Sequence, residues 1–193
     1  MGKIMRSIHK ECCKIMGRLF LGFSRLMESC VVEYQKTRFK SCGENVSIAL
    51  GRGIFTYESI SIGNDVFIGA NAIMQAKYDE IIIGSHVAFG PCVHIFGANH
   101  DIYRKGEYMK SAATKNNGNI VIEDDCWVGS NATILRGVRI GKGSVIGAGA
   151  VVSKDIPPYS IYTGIPDARL RKRFSDEDIE LHERILAAKA EAE

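Results

Sequence analysis

With 193 residues and 46% hydrophobic side chains, the chain has the apolar mass for a core, and one domain is the natural count. A formal net charge of +3 is too mild to argue for nucleic acid as a partner. Twenty glycines and one tryptophan suit a narrow repeat better than a packed sandwich, and six cysteines without metal or disulfide spacing point to a reducing, cytoplasmic compartment.

Residues 1–38 form the first unit. Ile4, Ile8, Cys12, Ile15, Leu19, Phe23, Leu26 and Cys30 make a helical stripe, with Lys3, Arg6, Lys10, Lys14, Arg18 and Arg25 off it. Arg18 and Arg25 interrupt the apolar part, so the segment is not a membrane span. Two roles stay open: a cap over the next unit, which a stacked repeat needs at its end, or a basic amphipathic helix in which residues 1–30 rest on an anionic membrane. No secretory signal is read, and Arg6 occupies the place where a myristoylation site wants Ser or Thr.

Residues 39–174 carry a six-residue beat. Cys42, Ile48 and Ile54 open it; Ile62, Ile68 and Met74, then Ile83, Phe89 and Ile95, continue it after slips. The unbroken run is Ile122, Val128, Ile134, Ile140, Ile146 and Val152, with Cys126, Ala132, Val138, Ser144, Ala150 and Ile156 at the fifth positions. This period fits neither a helix nor a strand meander, and it predicts a solenoid in which each unit is one short inward-facing strand and a turn. Three units close a coil of roughly eighteen residues, and coils stack at about 4.8 Å with parallel pairing. The polar stretch 97–119 is too hydrophilic for the wall and predicts an arm projecting from one corner. Residues 175–193 predict a terminal helix, with Ser175 and Asp178 in a capping-box pattern and Ile179, Leu181, Ile185 and Leu186 on its apolar side.

The repeat, the string Cys126-Trp127-Val128-Gly129-Ser130, the run Gly147-Ala148-Gly149-Ala150, the string Ser153-Lys154-Asp155-Ile156-Pro157-Pro158 and Gly164-Ile165-Pro166 together resemble the hexapeptide-repeat acyltransferases. Within that family the chain is similar to the galactoside, maltose and polysaccharide O-acetyltransferases. Gly97-Ala98-Asn99-His100 is also similar to the acetyltransferases that modify streptogramins and chloramphenicol. The resemblance implies an all-β, left-handed parallel β-helix, a homotrimer and acetyl-CoA as cosubstrate, with no metal. The left hand comes from the resemblance alone, since crossover rules favour the right hand.

By that resemblance His100, at the root of the arm, is the catalytic base. An alcohol attacking a thioester needs a base that titrates near neutral pH, which suits imidazole. Asn99 and Asp101 are candidates to orient the ring or hold a sugar, with turn chemistry as the alternative. His86 and His94 sit beside inward positions and point outward. Trp127 also points outward, either toward the acceptor or into subunit packing. Family positions that contact CoA fall on Ser130, Ala148, Ser153, Lys154 and Arg171, the two cations suiting its phosphates. Ala168 stands where the family commonly has a base, so Arg169, Lys172 or Arg173 substitutes. Galactoside-contacting residues do not map cleanly, Asn71 and Asp79 being the nearest. The histidine gaps of eight and six between His86, His94 and His100 differ from the zinc-binding carbonic anhydrases of the same fold. The expected activity is transfer of acetyl from acetyl-CoA to a sugar or polysaccharide-precursor hydroxyl. The alternatives are a xenobiotic or amino-sugar N-acetyltransferase, and a β-helical binding module without catalysis.

Overall fold

A computed structural model describes residues 2–49, 53–101, 103, 105, 108, 110–112, 118–164 and 169–190, with side chains described between residues 9 and 188. Arg104, Gly106, Glu107 and Lys115 of the arm, and Ile165, Pro166 and Ala168, lie outside them.

A helix, α1 (Gly2–Lys36), precedes five coils of three strands each. These are β1 (Ser41–Cys42), β2 (Ser47–Ile48) and β3 (Gly53–Phe55); β4 (Ile60–Ile62), β5 (Phe67–Ile68) and β6 (Ala72–Gln75); β7 (Ile81–Ile83), β8 (Ala88–Phe89) and β9 (His94–Phe96). After the 97–119 segment come β10 (Ile120–Ile122), β11 (Trp127–Val128) and β12 (Thr133–Leu135), then β13 (Arg139–Ile140), β14 (Val145–Ile146) and β15 (Val151–Val152). β16 (Ser160–Tyr162), β17 (Leu170–Lys172) and α2 (Asp176–Ala190) close the chain. Within the five coils each strand pairs with the third strand before and after it, which makes three walls. The first wall is β1-β4-β7-β10-β13, the second β2-β5-β8-β11-β14-β16-β17 and the third β3-β6-β9-β12-β15. All pairs are parallel except β16 with β17.

The period of six follows from this geometry. Cys42, Ile62, Ile83, Ile122 and Ile140 stand in register down the first wall. Ile48, Ile68, Phe89, Val128 and Ile146 do so in the second, and Phe55, Met74, Ile95, Ile134 and Val152 in the third. The small side chains at the fifth positions, from Cys126 to Ile156, are buried at the corners between these columns. The first coil departs from the expected beat. Ile54 is 55% exposed and Phe55 takes the inward place, so the step from Ile48 is seven residues.

Turn and contact duties fall on different residues. Left-handed backbone occurs three residues after the inward aliphatic, at Asp125, Asn131, Gly137, Gly143 and Gly149, where asparagine, aspartate and glycine are tolerated. The glycine directly after the aliphatic serves close approach instead. A Cβ on Gly129 would lie 2.6 Å from the Ala148 backbone nitrogen on the next coil. One on Gly141 would collide with Pro158.

The ends are finished by different means. α1 does not fold over the first coil as a cap: from residue 9 to residue 31 its side chains are exposed, apart from half-buried Ser24 and Glu28. Among its described side chains only those of the last turns touch the solenoid, through Val32 and Gln35. The opening is plugged by aromatic rings, Phe39 lying 5.6 Å from Phe55 and 5.0 Å from Tyr57 between centroids. At the other end β17 turns back antiparallel along β16 and covers that edge of the second wall. The first wall stops with a single bridge from Ile140 to Ile156, after which Pro157 and Pro158 offer no N–H to continue the ladder.

α2 starts as expected, Ser175 Oγ accepting the Asp178 N–H at 3.1 Å. It lies along the corner between the first and second walls and not across the end. Its docking face is more polar than the sequence stripe implies, because Leu181 and Ile185 are exposed while Ile179, His182, Glu183 and Leu186 turn inward. Glu183 accepts from Lys142 Nζ at 2.7 Å and from the Tyr159 hydroxyl. Arg173 joins this corner through Asp125 at 3.2 Å and the Gly143 carbonyl at 2.8 Å.

These two glycine roles predict a measurable difference. Gly129→Ala forces neighbouring coils apart, and overpacking of this kind costs about 1–3 kcal/mol. At Gly149 (φ +70°) an added methyl meets open space, so Gly149→Ala costs only the left-handed penalty of roughly 1 kcal/mol. Denaturant melts should rank Gly129→Ala as the less stable; the reverse order would contradict the stacking account.

Candidate active site

The third wall organises the candidate residues. Register places Ile95, Ile134 and Val152 on adjacent coils. Gly97, Arg136 and Lys154, each two residues further on, therefore stand along one edge. The 97–119 arm leaves the wall on this edge. Its departure is held by a hydrogen bond from Gly97 N–H to the Gln75 carbonyl at 2.7 Å. Its return is pinned by Gly118 N–H on Asp79 Oδ1 at 3.2 Å and Glu80 N–H on Asn119 Oδ1 at 3.0 Å. Asp79, a sugar-contact candidate in the sequence, is buried and employed here, and Asn71 is a left-handed corner residue.

His100 lies at the foot of the arm and is exposed in the single chain. Its backbone N–H bonds to Asn99 Oδ1 at 2.9 Å. Asp101 Oδ1 accepts the Tyr103 N–H at 3.1 Å, and the Asp101 N–H reaches the Ala112 carbonyl at 2.6 Å. Ala112 is fully buried, so the arm folds back on itself behind the histidine. Asn99 and Asp101 thus shape the backbone that presents His100. Tyr103 and Tyr108, 84% and 89% exposed, ride further out.

The other histidines are placed apart. His94 faces outward on β9 with its ring stacked on Phe96 at 5.8 Å between centroids. His86 occupies a left-handed corner between the first and second walls, 3.7 Å from Asp65. Among the described residues no three His, Cys, Asp or Glu side chains converge as a metal site.

The residues expected to meet CoA border the third wall on both sides. Ser130 and Ala148 stack on adjacent coils at its edge with the second wall, where the Gly149 N–H reaches the Ser130 carbonyl at 2.8 Å. Ser153 and Lys154 stand exposed on the opposite edge, in a cavity of about 370 Å³ shared with Val152, Asp155, Ile156, Tyr162 and Leu170. Arg171 follows on β17, exposed and paired in register with Ile161. Tyr162, whose hydroxyl donates to the Val151 carbonyl at 3.2 Å, is a cavity residue the sequence reading missed. It lies beyond Val152, where the six-residue run ends and its signal fades. Trp127 is 57% exposed on the outer face of the second wall. One chain therefore does not bring Trp127 and His100 onto the same face.

Cys126 is excluded as a nucleophile. It is buried inside the prism, its thiol donates to the Gly141 carbonyl at 3.3 Å, and burial pushes its pKa up to about 11.

Two family models match the chain: bacterial transferase hexapeptide (six repeats) over residues 119–154, and hexapeptide repeat of succinyl-transferase over residues 59–87. The galactoside O-acetyltransferase of Lactococcus lactis subsp. lactis (strain IL1403) is 32% identical over 153 residues, covering 79% of this chain and 72% of that protein. A chloramphenicol acetyltransferase of Klebsiella aerogenes is 36% identical over 118 residues, 53% of this chain, which spans 56% of that enzyme's length. Among solved structures, a hexapeptide-repeat-containing acetyltransferase of Vibrio cholerae aligns with a TM-score of 0.69 and 31% identity, over 86% of this chain and 93% of its own. A structure of that protein complexed with acetyl coenzyme A aligns with a TM-score of 0.67 over 82% of this chain and 85% of its own.

The thiols offer a direct check of this geometry. Cys12, Cys13 and Cys30 are exposed, Cys42 and Cys92 half-buried, and Cys126 buried. A chromogenic thiol reagent at neutral pH should titrate the first three quickly and reach Cys126 only on unfolding. Rapid labelling of Cys126 in the folded protein would contradict its place inside the prism.

Proposed function

The chain belongs to the hexapeptide-repeat acetyltransferases, which use acetyl-CoA, and on that premise we propose that it acetylates a hydroxyl of a sugar or polysaccharide precursor. The observation that carries this reading is the exposed His100 at the foot of an arm that leaves the third wall on the same edge as Lys154. Two coil steps, about 10 Å, separate the arm's root from that lysine. A base and a phosphate-binding cation are then spaced along one groove that an extended pantetheine can follow. The likeness to a galactoside O-acetyltransferase over 79% of the chain supports an oxygen acceptor.

In this mechanism His100 accepts the proton of the acceptor hydroxyl as its oxygen bonds to the thioester carbonyl carbon. Backbone N–H groups of the wall steady the negative oxygen that develops. The carbon–sulfur bond then breaks, and the proton held by His100 goes to the departing thiolate. No acyl-enzyme forms. Lys154 and Arg171 hold the nucleotide phosphates and Ser153 borders the pantetheine's path, while Ser130 and Ala148, on the opposite edge of the third wall, leave room beside the backbone for the pantetheine bound along a neighbouring copy. Asn99 and Asp101 set the arm's backbone and line the acceptor side.

The site is completed between copies. Trp127 on the second wall and His100 beyond the third meet only if two prisms lie side by side, and a homotrimer of left-handed β-helices repeats that meeting three times. Exposed Ile54 and Val151 on the third wall are apolar surface for such a contact. We place the reaction in the cytoplasm, where the six free cysteines stay reduced. A second reading, acetylation of a drug hydroxyl, has its own support in the 36% identity to a chloramphenicol acetyltransferase. CoA release measured against panels of sugars and antibiotics separates the two.

For His100→Ala, turnover should fall by about 10²–10⁴ while CoA affinity by calorimetry stays near that of the parent. Full activity in this variant would remove the histidine from the mechanism. Light scattering should report three chains of 21.2 kDa in one particle; a stable, active monomer would rule out the shared site.

A further inference from the structure

A broad exposed apolar surface of this protein belongs to neither the prism nor the proposed site. It lies on α1, a helix about 50 Å long of which, among the described side chains, only those of the last turns touch the rest of the chain. Ile15, Met16, Leu19, Phe20, Phe23 and Leu26 are between 57% and 69% exposed. At the α-helical pitch these six fall within an arc of about 140°. Lys10, Lys14, Arg18 and Arg25 share the opposite side, where Leu21 is the one apolar intruder. Two acidic residues lie between residues 9 and 31: Glu11, bound to Lys14 at 2.6 Å, and half-buried Glu28, which shares the cationic side.

From this distribution we infer that α1 is a peripheral membrane anchor that lies flat on an anionic phospholipid surface. The apolar arc is too wide for the narrow seam along which two helices pack. Four cations against two carboxylates, Glu11 and Glu28, leave the other side net positive, which matches acidic headgroups and repels the like-charged side of a second copy of the same helix. Long basic side chains on such a helix reach up to the headgroups while the apolar side sinks about 5–10 Å into the interface. No helix among the described residues is long and apolar enough to cross a bilayer, so contact is along the surface. The inference does not rest on the acetyl acceptor.

Flotation of the full chain with vesicles tests it. The protein should rise with vesicles of phosphatidylglycerol and phosphatidylcholine, rise little with phosphatidylcholine alone, and detach as salt is raised. Lys10→Gln/Lys14→Gln/Arg18→Gln should lower partitioning by roughly a hundredfold, at about fivefold per cation removed. Leu19→Glu/Phe23→Glu should abolish it while leaving acetyl transfer in solution and the circular dichroism spectrum of the β-helix unchanged. Failure of the parent protein to float with anionic vesicles overturns the anchor. So does a fall in particle mass for Leu19→Glu/Phe23→Glu without lipid, which assigns the apolar arc to contacts between copies.

Discussion

Everything in this molecule depends on coils stacking at strand distance, about 4.8 Å, with one aliphatic side chain per strand aimed at the axis. A single coil buries almost nothing of its own, because each inward side chain needs the coils above and below as packing partners. Ile62, Ile83, Ile122 and Ile140 form one such column, and they cohere because parallel register holds them directly over one another. The same spacing leaves no room for a Cβ at Gly129 or Gly141. Hydrophobic burial and the backbone ladder are therefore one constraint seen from two sides.

A wall built this way is rigid and repetitive, and it offers little chemistry of its own. The proposed function enters where the repeat is broken. The 97–119 arm interrupts the beat between β9 and β10, and its two ends are tied to the wall through Gln75 and Asp79. Those ties let polar residues leave the prism without opening it. The result is a histidine presented from a fixed base, the arrangement on which the proposed reactivity rests. Cys126 makes the converse point: one residue from Trp127 in sequence, it is buried in the prism with its thiol held protonated.

The solenoid was legible in the sequence because its period is short and repeated, so each unit votes for the same geometry. The readings that failed lie where the repeat ends. Ile54 was expected inward, but the first coil has no neighbour on one side, and the larger Phe55 turns in to join Phe39 and Tyr57 as a plug. α1 was read most simply as a cap, yet rings do that work and the helix stands clear. On α2 the apolar count favoured Leu181 and Ile185, whereas ion pairs and a tyrosine hydroxyl choose the docking face. Tyr162 escaped notice because it lies past the last regular step.

The amino-acid sequence by itself determined the period, the walls, the place of the arm and the outward direction of Trp127, since these follow from local alternation and turn chemistry. Only the tertiary structure decided which edges face one another. The alignment of the arm root with Arg136 and Lys154 along one edge, the placement of Ser130 and Ala148 on the other, and the separation of Trp127 from His100 all depend on how coils register. That register is set by contacts between residues tens of positions apart, which no local pattern encodes.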